Sequence, residues 1–112
     1  MTPDDARRLA ASLALEDASS ERALSFLVAG RQVAWSWMER VHPKKPRVPR
    51  LEVLAVRVRA ELKDILLGDH PDRYVADPHY AGYPAVLVRL AAVDESELAA
   101  LLEEGRRVQA KA

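Results

Sequence analysis

Residues 77–94, DPHYAGYPAVLVRLAAVD, contain a loop, a strand and the start of a helix in direct succession. Two prolines and a glycine among the first eight residues predict the loop. Residues 85–91 are almost wholly apolar and predict a strand that reaches the core. Asp94 can accept a hydrogen bond from the backbone of Glu97, a capping pattern that predicts a helix reaching about Val108. The stretch therefore joins a core strand directly to the helix that covers it.

Upstream residues predict a hairpin and an interior strand. Residues 23–29 and 32–38 are rich in β-formers and flank Gly30, which supplies the positive φ that a tight turn needs. Residues 51–58 carry apolar side chains on both faces. This pattern is typical of a strand with neighbours on both sides.

Two further helices complete the predicted order of elements. The Thr-Pro-Asp-Asp start at residues 2–5 predicts one helix, and residues 60–67 predict a short one with Gly68 as its stop. The tail at 109–112 is expected to fray. The order α-β-β-β-α-β-α predicts a single α+β domain over residues 1–112, with a largely antiparallel sheet and helices packed on one side.

The composition and the spacing of polar residues argue against several kinds of catalytic and metal site. The chain contains no cysteine, which excludes disulfides, thiol catalysis and cysteine-ligated zinc. His42, His70 and His79 fall in three predicted loops without the spacing of metal ligands. Glu103 and Glu104 are interpreted as a solvated helix face, without a carboxylate partner for acid–base work. We therefore expect no metal, no cofactor and no enzymatic activity.

Two features of the sequence bear on the cellular compartment of the protein. Apolar runs are too short to span a membrane, and the acidic N-terminus lacks the basic start of a signal peptide. These features predict a cytoplasmic protein that does not bind a membrane.

Charge is distributed unevenly although the net charge is zero. Residues 40–59 contain seven Lys and Arg side chains against Glu52 alone, whereas acids outnumber bases in both flanking segments. A local excess of positive charge predicts an anionic partner.

The Pro-rich segment 40–50 concentrates this charge. Its three prolines recur at every third position, which is typical of polyproline II. As a wing between two strands, the segment would contact DNA phosphates weakly, in a salt-sensitive way and without reading bases. The alternative is a solvated connection whose charge serves solubility. The predicted phosphate contacts are Arg40, Lys44, Lys45, Arg47 and Arg50, with Arg57 and Arg59 as second choices.

Aromatic residues predict a second kind of site. Trp35 and Trp37 share one face of a strand, where they either stack on a base or belong to the core. The loop with His79, Tyr80 and Tyr83 resembles a catalytic loop, because an aspartate precedes the histidine by two residues. The simpler interpretation is that these side chains cap the sheet edge, with tyrosine hydroxyls bonded to backbone. These five residues define the alternative function, a module for protein interaction, self-association or small-ligand binding.

Two long segments resemble the MmcQ/YjbR-like family. They are AWSWMERVHPKKPRVPRLEVLAVRV at 34–58 and ADPHYAGYPAVLVRLAAVDESEL at 76–98, joined by ELKDILLGDHPDRYVADPHY at 61–80. The resemblance covers nearly the whole chain. It implies a double-wing-type domain and a role in DNA binding, which the family is assigned through fold similarity to the DNA-binding domain of a phage transcription factor.

Overall fold

One sheet of six antiparallel strands forms the centre of the molecule. The computed structural model describes residues 1–111. In chain order the elements are α1 (Pro3–Ser12), β1 (Glu16–Asp17), β2 (Ser25–Val28), β3 (Arg31–Glu39), β4 (Val48–Arg57), α2 (Ala60–Asp69), β5 (Tyr74–Val75), β6 (Ala85–Arg89) and α3 (Glu95–Lys111). The order across the sheet is β1-β2-β3-β4-β6-β5, which places β4 in the interior, as predicted for residues 51–58.

A two-residue turn joins β2 to β3. Val28 pairs with Arg31 across it. Ala29 and Gly30 both have positive φ angles, 50° and 75°. Two such residues in succession match the right-handed twist of the flanking strands, so the tight turn predicted at Gly30 is confirmed.

All three helices pack against the same face of the sheet. Leu9 of α1 and Leu98 of α3 join Phe26, Leu54 and Val88 of the sheet in one apolar cluster, to which α2 adds partly buried leucines. The predicted α+β domain, with an antiparallel sheet and its helices on one side, is confirmed.

The opposite face of the sheet is covered by irregular chain. Val53, Ala55 and Leu87 form a second, smaller cluster with Tyr80, and both tryptophans pack against it. Tyr80 belongs to a 3₁₀ turn at Pro78–Tyr80. The loop at 77–84 therefore lies on the face that the helices leave open.

Two helix boundaries differ from the prediction. Helix α2 continues through Gly68, and the His70 N–H closes it by donating to the Leu66 carbonyl at 3.0 Å, so Gly68 is not the stop. Helix α3 continues to Lys111, so fraying is wrong for residues 109–111, while Ala112 lies outside the described residues.

The sheet also has two strands that the predicted order does not contain, β1 and β5. Both lie at the edges of the sheet and, at two residues each, are too short for an alternating pattern to predict them. Within residues 1–111, no helix is long and apolar enough to cross a membrane.

Candidate nucleic-acid interface

The hairpin loop between β3 and β4 carries most of the predicted phosphate contacts. Residues 40–46 are all exposed. The Lys45 N–H donates to the His42 carbonyl at 3.1 Å, which closes a turn at the tip. The chain reverses direction here, so the polyproline II prediction is wrong. Pro49 lies in β4 opposite Met38 and is tolerated there because β6 pairs only with the later part of β4.

Two arginines hold this hairpin in shape through hydrogen bonds to neutral carbonyl groups. Arg40 Nη1 donates to the carbonyls of Pro43 (3.1 Å) and Lys45 (3.2 Å). Arg47 Nη1 donates to the Met38 carbonyl at 2.9 Å. A backbone carbonyl accepts these bonds but has no net charge to offset that of a guanidinium. In the described part of the chain, neither arginine and neither of the two tip lysines forms an ion pair with a carboxylate.

Two other predicted contacts do have carboxylate partners. Arg50 Nε lies 2.7 Å from the Glu39 carboxylate. Arg59 Nε lies 2.9 Å from the Glu104 carboxylate, on the helical side of the sheet. The charges of Arg50 and Arg59 are therefore offset within the protein, unlike those of the hairpin tip.

Glu104 is buried, so its interpretation as part of a solvated helix face is wrong. The residue is 6% exposed, and its carboxylate accepts from the backbone N–H of Arg59 at 3.2 Å and from the Arg59 guanidinium. Burial alone would raise the pKa of Glu104, but these hydrogen bonds and the positive charges of Arg59 and Arg107 outweigh it and lower the pKa. The ionised carboxylate therefore holds the start of α2 against α3.

Aromatic and cationic side chains interlock on the open face of the sheet. Trp35 Nε1 donates to the Tyr80 hydroxyl at 3.2 Å, and Arg57 Nη2 donates to the Tyr83 hydroxyl at 2.8 Å. The Arg57 guanidinium lies 4.8 Å from the Tyr83 ring centroid and 5.7 Å from that of Trp35. Tyr80 is buried and Tyr83 is 39% exposed. Both hydroxyls thus bond to side chains, which corrects the prediction of backbone partners.

Asp77 anchors the loop to the sheet. Its carboxylate accepts from the backbone N–H of His79 and from Trp37 Nε1, each at 2.9 Å. Burial alone would raise the pKa of Asp77, but these two hydrogen bonds and the nearby charge of Arg47 outweigh it and lower the pKa. The bonds of Asp77 go to a backbone N–H and an indole, so it positions the loop and does not orient the imidazole.

A cleft of about 420 Å³ lies between the basic hairpin and this loop. Two guanidinium side chains, an indole and an imidazole line it, namely Arg40, Arg47, Trp37 and His79. The carboxylates of Glu39 and Asp77 line it as well. The structure thus brings together residues that the sequence assigns to two separate sites. Tyr80, Tyr83 and Trp35 lie outside this lining.

Lys63 of α2 contacts the loop at 77–84, and sequence reasoning misses it. Its Nζ donates to the Tyr83 carbonyl at 2.6 Å and also to the Tyr80 carbonyl, which ties the loop to α2. Burial lowers the pKa of Lys63, although the neighbouring Asp64 acts in the opposite direction. No sequence pattern marks this lysine, because its acceptors are backbone atoms 17 and 20 residues further along the chain.

A second cavity, of about 390 Å³, lies between α2 and the loop. Its walls are mainly apolar and include Leu67, Val75 and Leu87, with Lys63 among the lining residues. Among the described residues, no group of three or more His, Asp or Glu side chains converges on a position for a metal ion.

Proteins similar to this chain occur in mycobacteria. An uncharacterised protein of Mycobacterium tuberculosis and an uncharacterised protein of Mycobacterium bovis are each 43% identical to it over 63 residues, which is 55% of this chain and 49% of the relative. The matched region therefore spans about half the length of these curated relatives. No family model and no solved structure matches the chain.

Proposed function

We propose that this chain is a nucleic-acid-binding domain of the MmcQ/YjbR type, which contacts phosphates through the hairpin between β3 and β4. The proposal rests on one observation. Within residues 1–111, none of the four cations of this hairpin forms an ion pair with a carboxylate, although other arginines do. The four are Arg40, Lys44, Lys45 and Arg47.

The arrangement favours phosphate contact over base recognition. The tip lysines are exposed, flexible point charges. The hydrogen bonds of Arg40 and Arg47 to backbone carbonyls hold the hairpin in shape while leaving its charge available. Contacts of this kind depend on counterion release, so binding is expected to be non-specific and to weaken steeply with salt.

Fluorescence anisotropy of a labelled DNA duplex, titrated at several salt concentrations, tests the proposal. The double variant Lys44→Ala/Lys45→Ala should bind more weakly and lower the magnitude of the slope of log K against log salt by about 2, since each lost phosphate contact removes about 0.9. Arg22→Ala/Arg89→Ala is the matched control. It removes two exposed arginines that form no ion pair within residues 1–111 and lie outside the hairpin. Equal duplex affinity in the wild type and the lysine variant would refute the proposal.

The apolar cavity favours a second candidate function, the binding of a small ligand. Its volume of about 390 Å³ falls within the range typical of ligand pockets. Within the described chain, the ammonium of Lys63 donates only to carbonyls of the loop, so it can attract the carboxylate of a ligand with an apolar tail. Calorimetric titration with octanoate tests this candidate. Saturable binding that Lys63→Met weakens would support it. The absence of binding heat at two well-separated temperatures would refute it, since burial of apolar surface makes the binding enthalpy depend on temperature.

A further inference from the structure

We infer that the cleft between the hairpin and the loop at 77–84 binds single-stranded nucleic acid, with one base stacked against Trp37 and its phosphate held by Arg40 and Arg47. This inference rests on the proposed function and makes it more specific. It names the form of nucleic acid and the residue that distinguishes it.

The position of Trp37 is the first reason. Its indole N–H donates to the Asp77 carboxylate at 2.9 Å, which fixes the ring beside the cleft that both residues line. The residue is partly buried and is among those that line the cleft. His79 is exposed and lines the same space. A base that enters the cleft therefore meets a fixed indole and an imidazole.

The balance of charge is the second reason. Of the two carboxylates in the cleft, Glu39 pairs with Arg50, whereas Asp77 accepts hydrogen bonds from two neutral donors and keeps its negative charge near Arg47. Among the described residues, the guanidiniums of Arg40 and Arg47 donate only to backbone carbonyls. The charge of Asp77 offsets one of the two guanidinium charges, so one positive charge remains in the cleft to attract a phosphate.

The third reason is that Trp35 is not an equivalent platform. Its indole N–H bonds to the buried Tyr80, and Arg57 and Tyr83 lie over or against its ring. The two rings lie on the same face of β3, but only Trp37 lines the cleft. A variant of one tryptophan therefore serves as the control for a variant of the other.

The preference for a single strand follows from the chemistry of stacking. Bases within a duplex have their faces covered by neighbouring base pairs, whereas every base of a flexible single strand has a free π-face. Stacking of one base on an aromatic side chain raises affinity by about tenfold or more. The phosphate contacts of the hairpin tip serve both forms, and the stacked base adds affinity only for the single strand.

Single-tryptophan variants test the inference. In Trp35→Phe the remaining fluorescence comes from Trp37, and unlabelled oligodeoxythymidine should quench it. In Trp37→Phe the remaining fluorescence comes from Trp35, and the same oligonucleotide should leave it unchanged. Quenching in both variants, or in neither, would overturn the inference.

Binding measurements on Trp37→Leu complete the test. Its affinity for oligodeoxythymidine should fall about tenfold, with its affinity for the duplex unchanged. Equal losses for both forms would overturn the inference, and the urea midpoint of the variant would show whether it is folded. If the wild type binds the duplex but prefers no single strand, the inference fails and the proposed function survives. If it binds neither form, both fail.

Discussion

Replacement of Gly105 by alanine should destabilise the protein, although alanine is the better helix former. Gly105 lies within α3, where the helix crosses the sheet. A Cβ at this position would meet the Arg57 carbonyl oxygen and the Val33 Cγ1, each at 2.9 Å. Ordinary contacts begin at 3.4 Å, so α3 would have to move away by about half an ångström.

The magnitude follows from two opposing effects. Alanine gains about 1 kcal/mol of helix propensity over glycine. Overpacking of a well-packed site costs about 1–3 kcal/mol, and the upper part of that range applies because a backbone carbonyl cannot rotate away as a flexible side chain can. The net loss in the free energy of unfolding should therefore be about 1–2 kcal/mol.

Gly68→Ala is the matched control for this change. Gly68 is also helical, but a Cβ there would meet nothing within 4 Å. Only the propensity gain remains, so the free energy of unfolding should rise by about 0.5–1 kcal/mol. Urea unfolding followed by tryptophan fluorescence measures both variants. Overpacking at Gly105 is refuted if Gly105→Ala is as stable as the wild type, or if both variants shift the urea midpoint in the same direction.

Two other substitutions test contacts at the starts of α2 and α1. Glu104→Gln should lower the free energy of unfolding by about 1–3 kcal/mol at neutral pH, because it removes the charge that holds Arg59. The folded-state pKa of Glu104 lies below its ordinary value of 4.5, so this contribution is present above pH 4.5 and is lost as the pH falls through the folded-state pKa. The difference between wild type and variant should therefore shrink in acid, and a constant difference across pH would contradict the assignment. Thr2→Ala should cost about 1 kcal/mol, since Thr2 and Asp5 form a capping box at the start of α1. Thr2→Ser keeps the hydroxyl and should unfold close to the wild-type midpoint; equal midpoints for the two variants would argue against the cap.

Contacts close in sequence were predicted well. The Thr2 cap, the turn at Gly30 and the bond between the Asp94 carboxylate and the Glu97 N–H each join groups no more than a few residues apart. Residue type and spacing determine such contacts, because the chain has little freedom between the partners. The α+β class followed from these elements and their apolar patterns.

The candidate site was predicted only in part. The sequence singled out the basic hairpin and the aromatic residues, but as two separate features. Their meeting depends on Asp77, whose carboxylate accepts from an indole 40 residues away in the chain. The burial of Glu104 likewise depends on Arg59, 45 residues before it.

What the sequence alone determined is therefore the set of elements and the unequal distribution of charge. Which charges remain available to a partner depends on the folded arrangement. Arg50 and Arg59 are offset by carboxylates, whereas Arg40 and Arg47 bond to carbonyls and border the cleft beside Trp37. The physical reason is that the effective charge of a side chain depends on its neighbours in space, and the sheet brings together groups that the chain order keeps apart.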